Sequence, residues 1–449
     1  SIELEGKYQK GRASVDEYME LSAISNPHAS FTYHAPDGEI KIYPRTIRHN
    51  PEPPKEIKPH PYGIELGMLL KMLQDTKSHW LTGFLSTDFS RVSTETAEQI
   101  CKAAGLSGKK RPRDVAGADA ERLYKTIQAT KLMAPPTNCL SPIGEKAILA
   151  GLFKQIKGDF YTAVTRPPAV YRGNPFVIEA GLAWGRGPEQ AALDAANAQK
   201  APLAEGESHD GDDNELARVM RFANRVPLLY QQSACSTFKA VLDTTWKNYG
   251  IGQSRGAPPA GPMVIFVHMA SVWVPFTSES KEAIADYDEI RKEITLALRE
   301  AGRRLGVFIK RRDRAHAESK RRDIFELYIE EVVGACKRLK GGKLAEGKLK
   351  AQLTEIAKKV TGGQKTDELL DKNAGPHGLP HSIIVTADGI EGEIPVEGPV
   401  VVTEAAPAAA APPEPAKTAK TAQRTAKTRK KAKTKPTKKT KPSKSKKKK

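Results

Sequence analysis

The sequence predicts a multidomain α+β chain with a separate basic tail. Three observations predict it. The hydrophobic period is helical over residues 63–157, strand-like over 159–278 and helical again after Ser280. A proline-dense run at 44–62 cuts the first piece from the rest. The charge is uneven, because 17 of the 72 Lys and Arg lie in residues 417–449, which hold no Asp or Glu. Removing those 17 from 72 leaves 55 basic against 53 acidic residues, so a chain of net charge +19 has a nearly neutral body of 416 residues. That body is long enough for two or three domains at about 100–200 residues each. A hydrophobic content of 39% excludes a wholly disordered chain. No run of about 20 apolar residues is present to span a membrane as a helix. The opening Ser1-Ile-Glu-Leu-Glu-Gly lacks the basic start and apolar stretch of a signal peptide, and without an initiator Met it is the start expected of a fragment.

Ile2-Glu-Leu-Glu alternates like a strand. Ser14 is placed to cap a helix to Ile24, with Val15, Tyr18, Met19 and Ala23 on one side. Phe31-Thr-Tyr-His, the turn Pro36-Asp-Gly and Ile40-Lys-Ile-Tyr make a hairpin. The prolines at 44, 51, 53, 54, 59 and 61 forbid a helix or central strand and mark a linker. Helical faces follow at Ile64, Met68, Leu69, Met72 and Leu73, then after a Ser93 cap at Ala97, Ile100 and Cys101 to a stop at Gly105. Ser107-Gly-Lys-Lys-Arg-Pro-Arg is a basic loop, and Ser141-Pro142 predicts a cap and first turn leading through Ile148 and Leu152.

Phe176–Trp184 reads as a strand, 185–214 as an exposed Gly, Ala and Asp-rich insertion, and 216–229 as another strand. Ser233–Tyr249 reads helical, and Pro262–Pro275 is a strand apolar enough to be buried on both faces. Strand, helix and strand in that order predict a β-α-β crossover, right-handed in nearly all cases. From Ile284 the apolar stripe recurs to Leu339, predicting a helix of about 60 residues and about 90 Å that crosses domain boundaries. An amphipathic helix at 343–360, short β runs at 380–404 and a disordered Ala/Pro then Lys-rich tail from 405 complete the chain.

The four cysteines, Cys101, Cys139, Cys235 and Cys336, are scattered, with no metal spacing and no disulfide framework, and read as ordinary thiols in a reducing compartment. Gly362-Gly-Gln-Lys-Thr is not a P-loop, because Gln364 breaks the pattern and no strand precedes it. No complete active-site motif is found. The most informative junction is Pro275-Phe-Thr-Ser-Glu-Ser-Lys-Glu-Ala-Ile-Ala, where Ser280 is read as a helix cap and Lys281 as a cation opposing the helix dipole, an arrangement that suits an anion clamp. The ordinary alternative is a solvated lysine. Trp246-Lys247-Asn-Tyr249 pairs aromatics with a cation, as nucleic-acid contacts do, against the ordinary alternative of core packing. Lys10-Gly-Arg12 suits a phosphate grip or simply surface charge. The tail would bind DNA non-specifically and in a salt-sensitive way.

Several strings in order carry a resemblance: Ser14-Val-Asp-Glu-Tyr, Asn26-Pro-His-Ala, Met133-Ala-Pro-Pro-Thr-Asn-Cys-Leu-Ser-Pro-Ile-Gly-Glu, Arg221-Phe-Ala-Asn-Arg-Val-Pro-Leu-Leu-Tyr-Gln, Trp246-Lys-Asn-Tyr-Gly and Val272-Trp-Val-Pro-Phe-Thr-Ser-Glu-Ser-Lys-Glu-Ala-Ile-Ala. Across roughly residues 1–340 the chain resembles the topoisomerase VI B subunit family. The resemblance implies the end of a GHKL-type ATPase sandwich at 1–60, a helix-two-turn-helix domain at 61–157, a transducer with the long helix at 158–342, a small region at 343–404 and a disordered tail at 405–449. It implies ATP with Mg²⁺, Lys281 as the lysine that reaches the γ-phosphate, and DNA contact through Lys10, Arg12, Trp246, Lys247 and Tyr249. It implies partners too: a DNA-cleaving A subunit, a second B subunit in an A2B2 assembly, and duplex DNA in a nucleoid-associated cytoplasmic setting without a membrane. The residues that hold adenine, Mg²⁺ and phosphates would lie upstream of Ser1, so the chain as written is not expected to hydrolyse ATP alone.

Two functions are thus expected. One is the energy-transducing B subunit of a type II topoisomerase. The alternative is a non-enzymatic DNA-binding architectural protein working through its tail. A related GHKL repair or chaperone ATPase is a weaker third.

Overall fold

The structure is a computed structural model and describes residues 8–186, 215–339, 345–361, 382–386 and 389–391. The strand expected at Ile2, the 185–214 insertion (beyond Arg186) and the Lys-rich tail lie outside the described residues.

Helix α1 spans Val15–Ser25, and the Ser14 hydroxyl accepts from the Glu17 N–H, the expected cap. Such a cap stabilises a helix by about 1 kcal/mol. Its inward face is only partly the one anticipated. Leu21, Ala23 and Ile24 are buried, while Val15 and Tyr18 are 54% and 40% exposed, because the apolar packing of the helix lies along its C-terminal half. Strands β1 (Phe31–His34) and β2 (Ile40–Tyr43) form the expected antiparallel hairpin.

Four helices, α2 (Leu66–Asp75), α3 (Leu81–Asp88), α4 (Thr94–Ala103) and α5 (Ala118–Ala129), surround a core of their own built on Leu69, Leu73, Leu81, Phe84, Ile100, Leu123 and Ile127. Ser93 caps α4 as expected. The basic loop docks on the start of α3, where the Leu81 and Thr82 N–H groups donate to the Lys110 and Gly108 carbonyls.

Helix α6 (Glu145–Gln155) begins three residues later than Ser141-Pro142 suggested, with Gly144 as its cap, whose φ of 88° only glycine adopts without strain. It does not join the helical unit, as a boundary at 157 requires. Ile148, Leu149 and Leu152 pack instead on the large sheet, beside Leu21 and Ile24 of α1. Gly151 is required there: a Cβ at this position would run into the Ile24 carbonyl oxygen.

The sheet is formed by β3 (Phe160–Thr165), β4 (Ala169–Tyr171), β5 (Asn174–Trp184), β6 (Arg218–Ala223), β7 (Val226–Pro227), β8 (Met263–Ser271), β9 (Ser382–Thr386) and β10 (Gly389–Glu391), in the order β10-β9-β3-β5-β8-β6-β7 with β4 alongside β5. Helix α7 (Ser236–Asp243) lies in the connection between β6 and β8, which pair in parallel; this is the expected crossover. Strand period 2 sorts the side chains of β5. Ile178, Ala180, Leu182 and Trp184 face one helical layer, while Ala183 faces α1 and α6.

The first layer is α7 together with α8 (Asp288–Leu339), whose 52 residues extend about 78 Å. Only about its first two fifths, to Ile309, dock on the sheet. Ile290, Ile294, Ala297, Leu298, Ala301 and Leu305 are fully buried against the sheet, and Phe308 stacks on Phe160 at 4.8 Å. Arg304 donates to the Ala163 carbonyl at 2.6 Å, and Arg166 pairs with Glu293. Further along, α8 packs on α9 (Glu346–Thr361) through Ile329, Val333 and Ala357. Cys101, Cys139 and Cys235 are buried and Cys336 is half-buried; all are free thiols, and burial pushes Cys101 up to about 11. Among the described residues no helix is long and apolar enough to cross a membrane.

Candidate functional site

Strand β8 leads through Val272 and Trp273 into a loop that closes on itself before the long helix begins. Phe276 and Ile284 form an isolated antiparallel bridge. The Thr277 N–H donates to the Ala283 carbonyl at 2.9 Å, and the Ala285 N–H to the Pro275 carbonyl at 2.7 Å. Ala283 and Ile284 are fully buried. The two legs are therefore part of the core, and residues 278–281 form an exposed tip.

Lys281 sits on that tip with φ of 57°, a left-handed conformation that costs a non-glycine residue about 1–2 kcal/mol. Its ammonium makes no hydrogen bond or ion pair among the described residues. The helix-cap reading of Ser280 is overturned, since the Ser280 hydroxyl meets that of Ser278 at 2.7 Å and α8 starts at Asp288. Lys281 is a loop residue, so the helix dipole does not act on it. A strained, unpaired cation held by buried legs is suited to meet an anion from outside.

The legs are anchored from below. The Ser236 N–H, at the start of α7, donates to the Ile284 carbonyl at 2.9 Å, and the Ile284 N–H donates to the Cys235 sulfur at 3.3 Å. Asp286 accepts from Lys239 at 3.0 Å and from two nitrogens of Arg291. Burial pushes its carboxyl up, but Arg291 and Lys239 outweigh that and hold it below the ordinary carboxylate range. Tyr287 stacks on Tyr171 at 4.5 Å, with the Arg172 guanidinium beside both rings.

A second polar centre lies inside the sheet. Glu179 of β5 and His268 of β8 are cross-strand partners, both fully buried, with Oε2 and Nδ1 2.8 Å apart. The Arg225 N–H donates to His268 Nε2, so Nδ1 must carry the ring proton and donate to Glu179. Glu179 also accepts from the Ile143 and Gly144 N–H groups and the Thr165 hydroxyl. Burial alone would push this carboxyl up, but the His268, Ile143 and Gly144 donors outweigh it and hold it below the ordinary glutamate range. Asn224 and Arg225, both with positive φ, turn the chain beside this centre. The Arg225 carbonyl accepts from Ser25 at the end of α1.

The other candidates fare differently. Trp246 is fully buried and its indole N–H donates to the Val241 carbonyl, so it cannot reach a duplex. Tyr249 lies against the long helix at Gly302 and Gly306; a Cβ at 302 would sit 2.7 Å from its ring. Lys247 of that turn is exposed, and its ammonium makes no hydrogen bond or ion pair among the described residues. Lys10 pairs with Asp37 at 2.6 Å and Glu39 at 2.9 Å, which hold its ammonium well above the usual lysine range. Arg12 donates to Gln232 at 2.5 Å. These sites are not gathered into one constellation. Sequence reasoning missed Asp286, the Glu179–His268 pair and the glycine notch. The i, i+4 spacing of Gly302 and Gly306 within a helical stripe was the visible signal for the last of these.

Residues 135–321 match the family described as topoisomerase VI B subunit, transducer. The match includes α6 with the sheet, in agreement with the packing. The chain is also similar to proteins named as the B subunit of type 2 DNA topoisomerase 6. That of Methanococcoides burtonii is 46% identical over 69% of this chain and 46% of its own length. That of Methanosarcina mazei is 44% identical over 74% and 49%, and that of Archaeoglobus fulgidus 38% identical over 83% and 57%. The chain thus spans about half the length of the curated relatives it matches. Residues 135–321 carry the transducer of the topoisomerase VI B subunit family.

Proposed function

We propose that this chain is the energy-transducing part of an ATP-dependent type II topoisomerase B subunit, in which Lys281 meets the terminal phosphate of ATP. The observation that carries it is an unpaired lysine on an exposed tip whose buried legs lead, seven residues on, into a 52-residue helix. The residues present fit a phosphate at that tip, through the Lys281 ammonium. ATP brings the charge that the ammonium meets, and hydrolysis takes that charge away with the product. No His, Cys, Asp and Glu cluster able to hold Mg²⁺ occurs among the described residues, so no step is assigned to the metal here.

The far end of α8 supports a partner. Phe325, Tyr328, Val332 and Ile356 are between 42% and 62% exposed around a groove of about 320 Å³, a larger apolar face than a solvated helix needs. The DNA-cleaving A subunit is the partner assigned to it, with a second B subunit completing an A2B2 assembly in the nucleoid. Residues 1–60 and the α2–α5 unit take the GHKL and helix-two-turn-helix places, and Lys247 keeps a DNA contact, while Lys10 and Arg12 must first leave Asp37, Glu39 and Gln232. The architectural alternative rests on the tail, which lies outside the described residues, and nothing in the comparisons favours it.

The test is strand passage. A complete B subunit with its A subunit is expected to relax supercoiled DNA with ATP and Mg²⁺, and Lys281→Ala to reduce that rate by about tenfold or more. Full activity in the variant would remove Lys281 from the mechanism.

A further inference from the structure

We propose that Asp286 is the positioning residue that couples the Lys281 loop to the long helix, so that a shift of the tip becomes a shift of the helix. The proposal rests on the reading of Lys281 given above. Three elements converge on this one carboxylate. Arg291, in the first turn of α8, donates Nε to Oδ1 at 2.8 Å and Nη2 to Oδ2. Lys239 of the crossover helix α7 donates to Oδ2 at 3.0 Å. Asp286 itself ends the loop leg, one residue past Ala285, whose N–H is bonded to Pro275.

Arg291 also pairs with Asp243 at 3.2 Å, and residues 239 and 243 lie one turn apart on the same face of α7. The α7 side of the cluster is therefore rigid. The leg upstream of Asp286 is fixed through its backbone to Ser236 and through sulfur to Cys235. The Tyr287 ring downstream is stacked on Tyr171. Between these two fixed segments Asp286 is the side-chain joint that ties leg, crossover helix and long helix together. A bidentate arginine fork resists rotation as well as separation, which a single contact would not. Without it, the tip has slack to move while α8 stays where it is.

The experiment compares Asp286→Asn with the wild type in the complete B subunit assembled with its A subunit. Asparagine keeps the shape and removes the charge. The ratio of ATP hydrolysed to DNA links passed is expected to rise about fivefold in D286N, and D286E to return within about twofold of wild type. A merely structural role would lower hydrolysis and passage together and leave the ratio unchanged; that result overturns the proposal. In the full chain of 449 residues, amide exchange at 283–285 is expected to quicken about tenfold in D286N while β8 is unaffected. Unchanged exchange at 283–285 also overturns it. An inert Lys281→Ala would remove the phosphate reading and with it the coupling that rests on it, whereas an unchanged D286N ratio would remove the coupling joint and leave the phosphate reading standing.

Discussion

The Lys281 loop and the Trp246–Tyr249 turn both attract attention in the sequence, as cations set among unusual neighbours, yet the fold treats them oppositely. Around Lys281 the legs are buried and the charged tip is left outside. Around Lys247 the two aromatics go inward, one into the core and one against Gly302 and Gly306 of the long helix. The difference teaches that an aromatic beside a lysine is first a packing element. A cation in a strained, exposed backbone position has no such structural use. The transducer then has two kinds of part: a tip that costs stability, and a turn that supplies it by locking the long helix to the sheet.

That contrast can be broken by substitution. Trp246→Ala is expected to cost about 3–5 kcal/mol in chemical denaturation, since it empties a fully buried site and loses the bond to Val241. A loss of DNA affinity with unchanged stability would instead restore Trp246 as a DNA contact. Glu179→Gln should cost about 1–3 kcal/mol by the same measurement, because an amide cannot accept all the bonds that Ile143, Gly144, Thr165 and His268 donate to the buried carboxylate. The pH dependence has a definite sign. The folded-state carboxyl of Glu179 lies below its unfolded value, so its contribution is fully present above the unfolded glutamate range near pH 4.5 and is lost as pH falls through the lower folded value. Melting temperature followed downward from pH 6 should fall less steeply in E179Q than in the wild type.

Smaller effects sharpen the comparison. Lys281→Gly should stabilise the chain by about 1 kcal/mol, because glycine adopts positive φ without strain, while removing function. Gain of stability with retained strand passage would make the lysine incidental. Lys247→Ala should change stability by less than about 0.5 kcal/mol and lower the salt slope of DNA binding by about one.

Much of this was legible in the residues. Period and turn chemistry placed the α1 cap at Ser14, the hairpin, the β6-α7-β8 crossover and the long helix. What failed was what depends on partners distant in sequence. Ile284 and Tyr287 fit the helical stripe, so the helix seemed to start at Ser280; their burial comes from Cys235, Ser236 and Tyr171 instead. Ser141-Pro142 is a sound helix start by local rules, yet Glu179 holds the Ile143 and Gly144 N–H groups and delays the helix to Glu145. Asp286 was missed in part for the same reason, since Lys239 sits 47 residues away in α7, although Arg291 is only five residues on. Lys281 is marked in the sequence by the family strings and by a helix-dipole argument; the dipole argument fails because the helix starts at Asp288 and the lysine is a loop residue.

The most direct test of the central claim is the affinity of a complete B subunit for a non-hydrolysable ATP analogue and for ADP, with and without Lys281→Met. A charged hydrogen bond to the terminal phosphate is worth about 1.5–3 kcal/mol, so analogue affinity should fall about tenfold or more while ADP affinity is unchanged. An equal change in both, or in neither, would contradict a lysine that reads the γ-phosphate.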